Sequence, residues 1–244
     1  MYAVETKDLV KKYKNKTAVD SVNLNVKKGE LFALLGVNGA GKTTTIRMLS
    51  CLSAPTSGEA FINGHNCVSE SRTVKTEIGI SPQETSVAEN LTVRENLEFM
   101  AAVYGFGKAK IKERSGDMIK LFNMEEVENS RAKTLSGGWK RKLSIAMALI
   151  SEPKVLFLDE PTLGLDVLAR RELWSAIETL KGKITIILTT HYMEEAERLS
   201  DRIAIMINGR ISATGSLADL EMLTGKNGLE DVFVEIAERS SKHV

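Results

Sequence analysis

The stretch Leu31-Phe32-Ala33-Leu34-Leu35-Gly36-Val37-Asn38-Gly39-Ala40-Gly41-Lys42-Thr43-Thr44 decides the fold. Its apolar start reads as a strand buried on both faces, the kind found in parallel sheets wrapped by helices. Gly36 to Thr43 then spells G-x-x-x-x-G-K-T. The glycines at 36, 39 and 41 let the backbone turn sharply and bring its N–H groups close to phosphate oxygens. Thr44 to Leu52 is helix-compatible, and a helix N-terminus there adds its dipole toward an anion. Lys42 is placed to reach β- and γ-phosphates, and the Thr43 hydroxyl to face Mg²⁺. A glycine-rich turn with a surface lysine is the competing reading. Phosphate binding requires a strand before the loop and a helix after it, and the sequence supplies both.

Working outward, Val155–Leu158, Ile184–Leu188 and Ile203–Ile207 repeat the buried-strand pattern. Val22, Leu24 and Val26 alternate with polar residues and predict one half-buried antiparallel strand. Asn63-Gly64 and Asn208-Gly209 read as hairpin turns. From about Asn90 to Ser151 the period becomes helical, as in Leu91, Val93, Leu97, Met100, Ala101 and Tyr104, with no strong strand candidate. Ser216 is suited to cap a helix reaching Leu223. An amphipathic helix is expected from Leu229 to Glu238, with Ser240 to Val244 frayed. The expected organisation is a single α/β domain over 1–244. A mostly parallel core sheet and an N-terminal antiparallel β-subdomain occupy 1–89 and 152–215, a helical lobe is inserted at 90–151, and C-terminal helices fill 216–244.

Composition narrows the function. Of the 244 residues, 33 are Lys or Arg and 32 Asp or Glu, a net charge of +1. That balance argues against a nucleic-acid binder that relies on bulk charge. The longest apolar runs, Phe99–Tyr104 and Ile145–Ile150, are six residues, where a membrane-spanning helix needs about 20. The first residues lack the apolar core of a secretory signal. Cys51 and Cys67 are too few for a disulfide scaffold and form no Cys-x-x-Cys pair. A cytoplasmic chain with reduced thiols is expected.

Three further positions carry chemistry. The strand Val155–Leu158 delivers Asp159 and Glu160 at its C-terminal edge, where open α/β sheets bind ligands, and Pro161 stops the ladder. Asp159 is placed to hold Mg²⁺. Glu160, on the other side of the strand, is placed to polarise an attacking water. A solvated acidic turn is the competing reading. His191 follows a buried strand and is suited to sense a γ-phosphate or position water, against a structural role. Gln83 follows an expected strand over Glu77–Ile80, where its amide can ligate Mg²⁺ or the water.

A second glycine-containing motif reads Leu135-Ser136-Gly137-Gly138-Trp139-Lys140-Arg141-Lys142-Leu143. A serine and two glycines start a helix reaching about Ile150, a second anion-binding geometry with Ser136 as a possible N-cap. With this segment the chain resembles the ATP-binding cassette (ABC) ATPases, and within them the prokaryotic export-type subunits. Gly36–Thr44 is similar to that family's phosphate loop and Gln83 to its glutamine loop. Leu135–Gly138 resembles its signature, and Leu156–Glu160 its second acidic motif. Pro161–Asp166 resembles the loop that follows, with Asp166 as its aspartate, and His191 the switch histidine. Tyr13, 23 residues before Gly36, resembles the aromatic that stacks on adenine. Trp139 departs from the pattern, because the family usually has Gln there.

The resemblance implies a P-loop NTPase cassette that binds ATP and Mg²⁺ and hydrolyses ATP. Glu160, His191 and Gln83 would be catalytic. Tyr13, Gly36, Asn38, Gly39, Ala40, Gly41, Lys42, Thr43, Thr44, Ser136, Gly137, Gly138 and Asp166 would hold nucleotide, and Thr43, Gln83 and Asp159 the metal. It also implies a second cassette, identical or not, because each signature caps the ATP held by the other subunit's loop. A separate multi-spanning permease would carry the cargo, placing the chain on the inner face of the cell membrane. Leu91–Phe99 and Leu229–Phe233 resemble export-type cassettes, and Phe99, Met100, Val103 and Tyr104 offer apolar surface to a permease or to the core. The end of the chain soon afterwards leads to the expectation that no regulatory domain follows. The alternative is a soluble cassette that remodels a non-membrane scaffold, such as an iron–sulfur assembly complex. The signature, Tyr13 and His191 argue against a P-loop kinase, and no guanine-reading Asn/Thr-Lys-x-Asp motif supports a GTPase.

Overall fold

The structure, a computed structural model, describes residues 2–241. The chain runs through β1 (Tyr2–Tyr13), β2 (Lys16–Val22), β3 (Asn25–Lys27), β4 (Leu31–Leu35), α1 (Lys42–Leu49), β5 (Ser57–Ile62), β6 (His65–Asn66) and α2 (Ser71–Glu77). It continues through β7 (Ile78–Ser81), α3 (Val93–Val103), α4 (Lys108–Leu121), α5 (Gly137–Leu149), β8 (Val155–Asp159) and α6 (Val167–Glu178). It closes with β9 (Thr185–Thr190), α7 (Met193–Leu199), β10 (Arg202–Ile207), β11 (Arg210–Gly215), α8 (Leu217–Thr224) and α9 (Leu229–Ser241). Two compact units result, one from residues up to Lys75 and from Lys181 on, the other from Thr76 to Leu180. The expected helical lobe at 90–151 lies inside the second.

In the first unit β4 lies between β10 and β9, parallel to both, and β11 pairs antiparallel outside β10. All five β4 side chains are buried, as the unbroken apolar run predicts. Ala33 and Leu35 pack with Ala196 of α7, Ile203 and Ile205 of β10, Leu220 of α8 and Val232 and Phe233 of α9. Each large apolar side chain so buried contributes roughly 1.5–3 kcal/mol. A second, antiparallel sheet has the order β2-β1-β5-β6, with β3 also on β1. Both predicted hairpins form. Asn63 and Gly64 have φ of 50° and 90° and join β5 to β6, and Asn208 and Gly209 have φ of 49° and 83° and join β10 to β11. Positive φ at both central residues is the type I′ turn that matches strand twist.

The single strand expected across Val22, Leu24 and Val26 is broken. β2 ends at Val22 and β3 begins at Asn25. Thr6 bridges the gap: its hydroxyl donates to the Val22 carbonyl at 2.8 Å and accepts from the Leu24 N–H at 2.8 Å. All three apolar residues are buried even so, so the alternation reports burial correctly while missing the change of pairing. α1 begins at Lys42, two residues before the expected start, and ends at Leu49. Ser216 caps α8 in a box with Asp219. α9 runs past the expected Glu238, with the Ser240 hydroxyl donating to the Ile236 carbonyl. Residues 242–244 of the tail expected to fray lie outside the described residues. Cys51 and Cys67 are free thiols.

In the second unit β7 and β8 pair in parallel, Ile78 opposite Val155 and Ser81 opposite Leu158. β7 starts one residue later than predicted because Glu77 closes α2. Thr92 caps α3, its side chain accepting from the Glu95 N–H while Glu95 accepts from the Thr92 N–H, which holds the Glu95 carboxyl below the usual carboxylate range. α5 approaches β7 very closely: a Cβ on Gly79 would lie 2.2 Å from the Ala148 carbonyl oxygen. Gly79→Ala is therefore expected to destabilise the protein by about 2 kcal/mol or more, read as a lowered urea midpoint. A wild-type midpoint would mean that α5 and β7 can separate freely.

Candidate active site

In the first unit, register builds the phosphate loop. Leu35 pairs with Thr190 on one side and Ile205 on the other, and the Gly36 N–H donates to the Thr190 carbonyl at 3.3 Å. His191 therefore leaves β9 at the same edge where the loop leaves β4. The half-buried imidazole lies 4.1 Å from the Tyr192 ring, centroid to centroid. The loop is packed from behind, with the Gly209 N–H donating to the Ala40 carbonyl at 2.9 Å. A Cβ on Gly36 would meet the Met206 carbonyl oxygen at 2.4 Å, and one on Gly41, at φ 111°, the Ala18 carbonyl oxygen at 2.5 Å. Only glycine fits these positions. Val37, Asn38 and Gly39 form an exposed crest, while Ala40 and Lys42 are buried.

The Lys42 ammonium donates to the Gly36 carbonyl at 2.7 Å and the Val37 carbonyl at 3.3 Å, so the cation sits within the loop's own curve. Thr43 and Thr44 stand, half-buried, in the first turn of α1. A loop with no room for a Cβ at Gly36 or Gly41, a helix N-terminus and a buried lysine fit a polyphosphate. Tyr13 is 45% exposed at the end of β1, with the Lys11 ammonium 5.2 Å from its ring centroid. Its face is thus already a cation–π partner.

The second unit carries the other candidates. β8 is buried throughout and ends on Asp159, 4% exposed, followed by Glu160, 6% exposed. Glu160 has φ 48°, a left-handed conformation rare for this residue type. Its carbonyl accepts from the Leu163 N–H at 3.2 Å, which fixes the turn beyond Pro161. Asp166 is the N-cap of α6, accepting from the Leu168 and Ala169 N–H groups at 2.9 Å. Ser136 is the N-cap of α5, its oxygen accepting from the Trp139 N–H at 3.5 Å. Ser136 and Gly137 are exposed. Gln83 is exposed two residues beyond β7, and Arg141 donates to its carbonyl. Taken singly, the Thr43 hydroxyl in the first unit and the Gln83 amide and Asp159 carboxylate in the second are each oxygen donors of the hard type that Mg²⁺ takes. Among the described residues no three His, Cys, Asp or Glu cluster as metal ligands.

Two features escaped the sequence. Trp139 covers Lys142, whose ammonium lies 4.2 Å from the ring centroid and 2.8 Å from Glu172 Oε2. The residue that departs from the family pattern thus shields a cation only 5% exposed. Val167 and Leu168, 64% and 73% exposed, follow Asp166 directly. The i, i+3 spacing of Trp139 and Lys142 was the available signal for the first; nothing local marks the second as exposed.

A sequence model described as "ABC transporter" matches residues 19–163. The chain belongs to this family. The ABC cassette is similar, at 42% identity over 93% of its length and 69% of the relative's, to the daunorubicin/doxorubicin resistance ATP-binding protein DrrA of Streptomyces peucetius. It is 40% identical to the Nod factor export ATP-binding protein I of Rhizobium etli over 90% of this chain and 70% of that one. Among solved structures, an ATP-binding subunit of an ABC transporter superposes with TM-score 0.86 at 34% identity, covering 96% of this chain and 99% of the other. A dimeric cassette in a post-hydrolysis state with ADP and Pi superposes with TM-score 0.80 at 26% identity, covering 88% of this chain and 98% of the other. The fold is that of a P-loop ABC ATPase, and the chain is an ATP-binding ATPase subunit.

Trp139→Gln restores the residue common in the family and removes the ring from Lys142. It is expected to destabilise this cassette by about 1 kcal/mol while leaving ATP binding within about twofold, measured by urea unfolding and nucleotide titration. Unchanged stability would mean that the ring–ammonium contact contributes nothing.

Proposed function

We propose that this cassette powers export through a separate multi-spanning permease, closing on ATP with a second cassette and opening after hydrolysis. The observation that carries the reading is that the sequence holds a single G-x-x-x-x-G-K-T loop and a single Leu-Ser-Gly-Gly motif, the latter at an exposed helix start at Ser136–Gly137. Two chains, identical or not, then complete two sites across a two-fold interface. The names of the relatives, a drug-resistance protein and a Nod factor export protein, support export over the remodelling of a non-membrane scaffold. Among the described residues no helix is long and apolar enough to cross a membrane, so the spanning work is assigned to the permease and the chain to its inner face. Residues 90–151 are taken as a lobe inserted in one cassette domain. Exposed Phe99, Val103 and Tyr104 on and just after α3 offer the permease an apolar footing, with Met100 only half-buried beside them.

Each residue then has a task. The loop from Gly36 to Thr44 binds the phosphates, with Lys42 turning from its carbonyls toward them, and Tyr13 stacks on the base. Ser136, Gly137 and Gly138 donate to the nucleotide held by the other subunit, and Asp166 lies in the loop that meets it. Thr43, Gln83 and Asp159 would hold Mg²⁺, which would supply charge neutralisation on the phosphates. Glu160 takes the proton of the attacking water, and His191 orients the γ-phosphate. Closure is a population shift, because nucleotide touching both surfaces stabilises only the closed pair.

Glu160→Gln is expected to keep ATP binding, lose at least about a hundredfold in turnover and accumulate an ATP-dependent dimer on gel filtration. Wild-type turnover in a folded variant would remove Glu160 from the chemistry. Ser136→Arg is expected to lose ATPase activity while binding ATP as a monomer; equal loss of binding contradicts the shared site. Affinity purification from detergent-solubilised membranes tests the assignment to export. A multi-spanning partner at about equal stoichiometry supports it, and a soluble partner alone overturns it.

A further inference from the structure

One face of α5 meets β7 and the loop beyond it at three successive levels. The Ala148 carbonyl lies against Gly79, the Ser144 hydroxyl is 2.9 Å from the Ser81 hydroxyl, and Arg141 reaches the loop. Positions 141, 144 and 148 have the i, i+3, i+7 spacing of one helical face. The first two contacts hold strand residues. The third holds backbone after the strand has ended: Arg141 Nη1 donates to the Pro82 carbonyl at 2.6 Å and Nη2 to the Gln83 carbonyl. Pro82 has no N–H, so the ladder cannot continue through it, and these carbonyls need donors from elsewhere. Arg141 supplies both from one planar fork, whose two N–H groups cannot move independently. The residue is only 4% exposed. A buried guanidinium is tolerated when hydrogen-bonded and is costly when a partner leaves, so the contact resists separation from either side.

The helix that Arg141 belongs to begins at Gly137, directly after Ser136. The backbone it grips carries Gln83, whose residue is exposed. We propose that Arg141 is a positioning residue: it fixes the Gln83 backbone to the signature helix, so that the Gln83 amide and the Ser136–Gly138 turn move as one body. The inference rests on the reading of Gln83 as a ligand of metal or water. It goes beyond that reading by naming the side chain that delivers Gln83 and the element it is delivered with. Nucleotide capture at the signature and completion of the hydrolytic site then become a single displacement.

The test compares Arg141→Ala, Arg141→Lys, Gln83→Ala and the Arg141→Ala/Gln83→Ala double variant of the full chain. In Arg141→Ala, amide hydrogen exchange over residues 83–86 is expected to rise about tenfold or more. The kcat is expected to fall about tenfold with the KM for ATP changed less than about threefold. Lysine keeps the charge but not the fork, and is expected to fall between wild type and alanine in both readouts. It also carries the exchange test if the alanine variant does not fold. The double variant is expected to turn over no more slowly than Gln83→Ala alone. Unchanged exchange in the Arg141 variants overturns the clamp. Multiplying losses in the double variant overturn transmission through Gln83. Wild-type turnover in Gln83→Ala overturns the reading of Gln83 itself, and the exchange data then decide the clamp separately.

Discussion

Parallel pairing of the strand Leu31–Leu35 on both its edges is the constraint from which the first unit follows. A strand with two partners has no freedom to slip, since a shift of one residue would exchange its faces. Its last residue is therefore fixed beside Thr190 and Ile205. The loop that leaves it must pass against the Met206 carbonyl, where a side chain has no room. The tight turn, the helix that starts at Lys42 and the arrival of His191 at the same edge are consequences of that pairing. The glycines do not create the loop; they permit the only path that the register leaves open.

The second unit solves a different problem, that of charge at the wrong end of a helix. α5 begins with an exposed, serine-capped turn and carries Lys140, Arg141 and Lys142 within its first two turns. Cations near a helix N-terminus add to the dipole's positive end and disfavour the helix. Two of them are withdrawn from solvent, Arg141 onto backbone carbonyls and Lys142 between the Trp139 ring and Glu172. Their field still adds to that of the helix end. What is unfavourable for an isolated helix is suited to one that receives an anion, and the surrounding contacts offset the cost.

How much of this was legible follows from the range of each interaction. Buried strands, hairpins and caps depend on side chains a few residues apart, so Leu31–Leu35, Asn63-Gly64, Asn208-Gly209 and Ser216 could be read directly. The order of motifs carried the family. The break between Val22 and Asn25 could not be read, because it depends on a hydroxyl 16 residues away. Arg141 sits in a quoted motif, yet its partners are carbonyls 59 and 58 residues distant, and any sequence has carbonyls there. Trp139 reads in the sequence only as a departure from the family's Gln, and in the structure its ring covers Lys142. The backbone conformation of Glu160 left no mark on the sequence.

That last feature bears on how this protein can change. A non-glycine residue in the left-handed region costs of order 1–3 kcal/mol, and Glu160 is held there at φ 48°. Glycine at 160 would release the strain and remove the carboxylate in the same step. With the proton-accepting role proposed for Glu160, selection for robustness alone would drift toward an inert molecule, and a stabilising library screened without turnover should enrich for it. Under that proposal, the position is a point where thermal resilience and work compete directly.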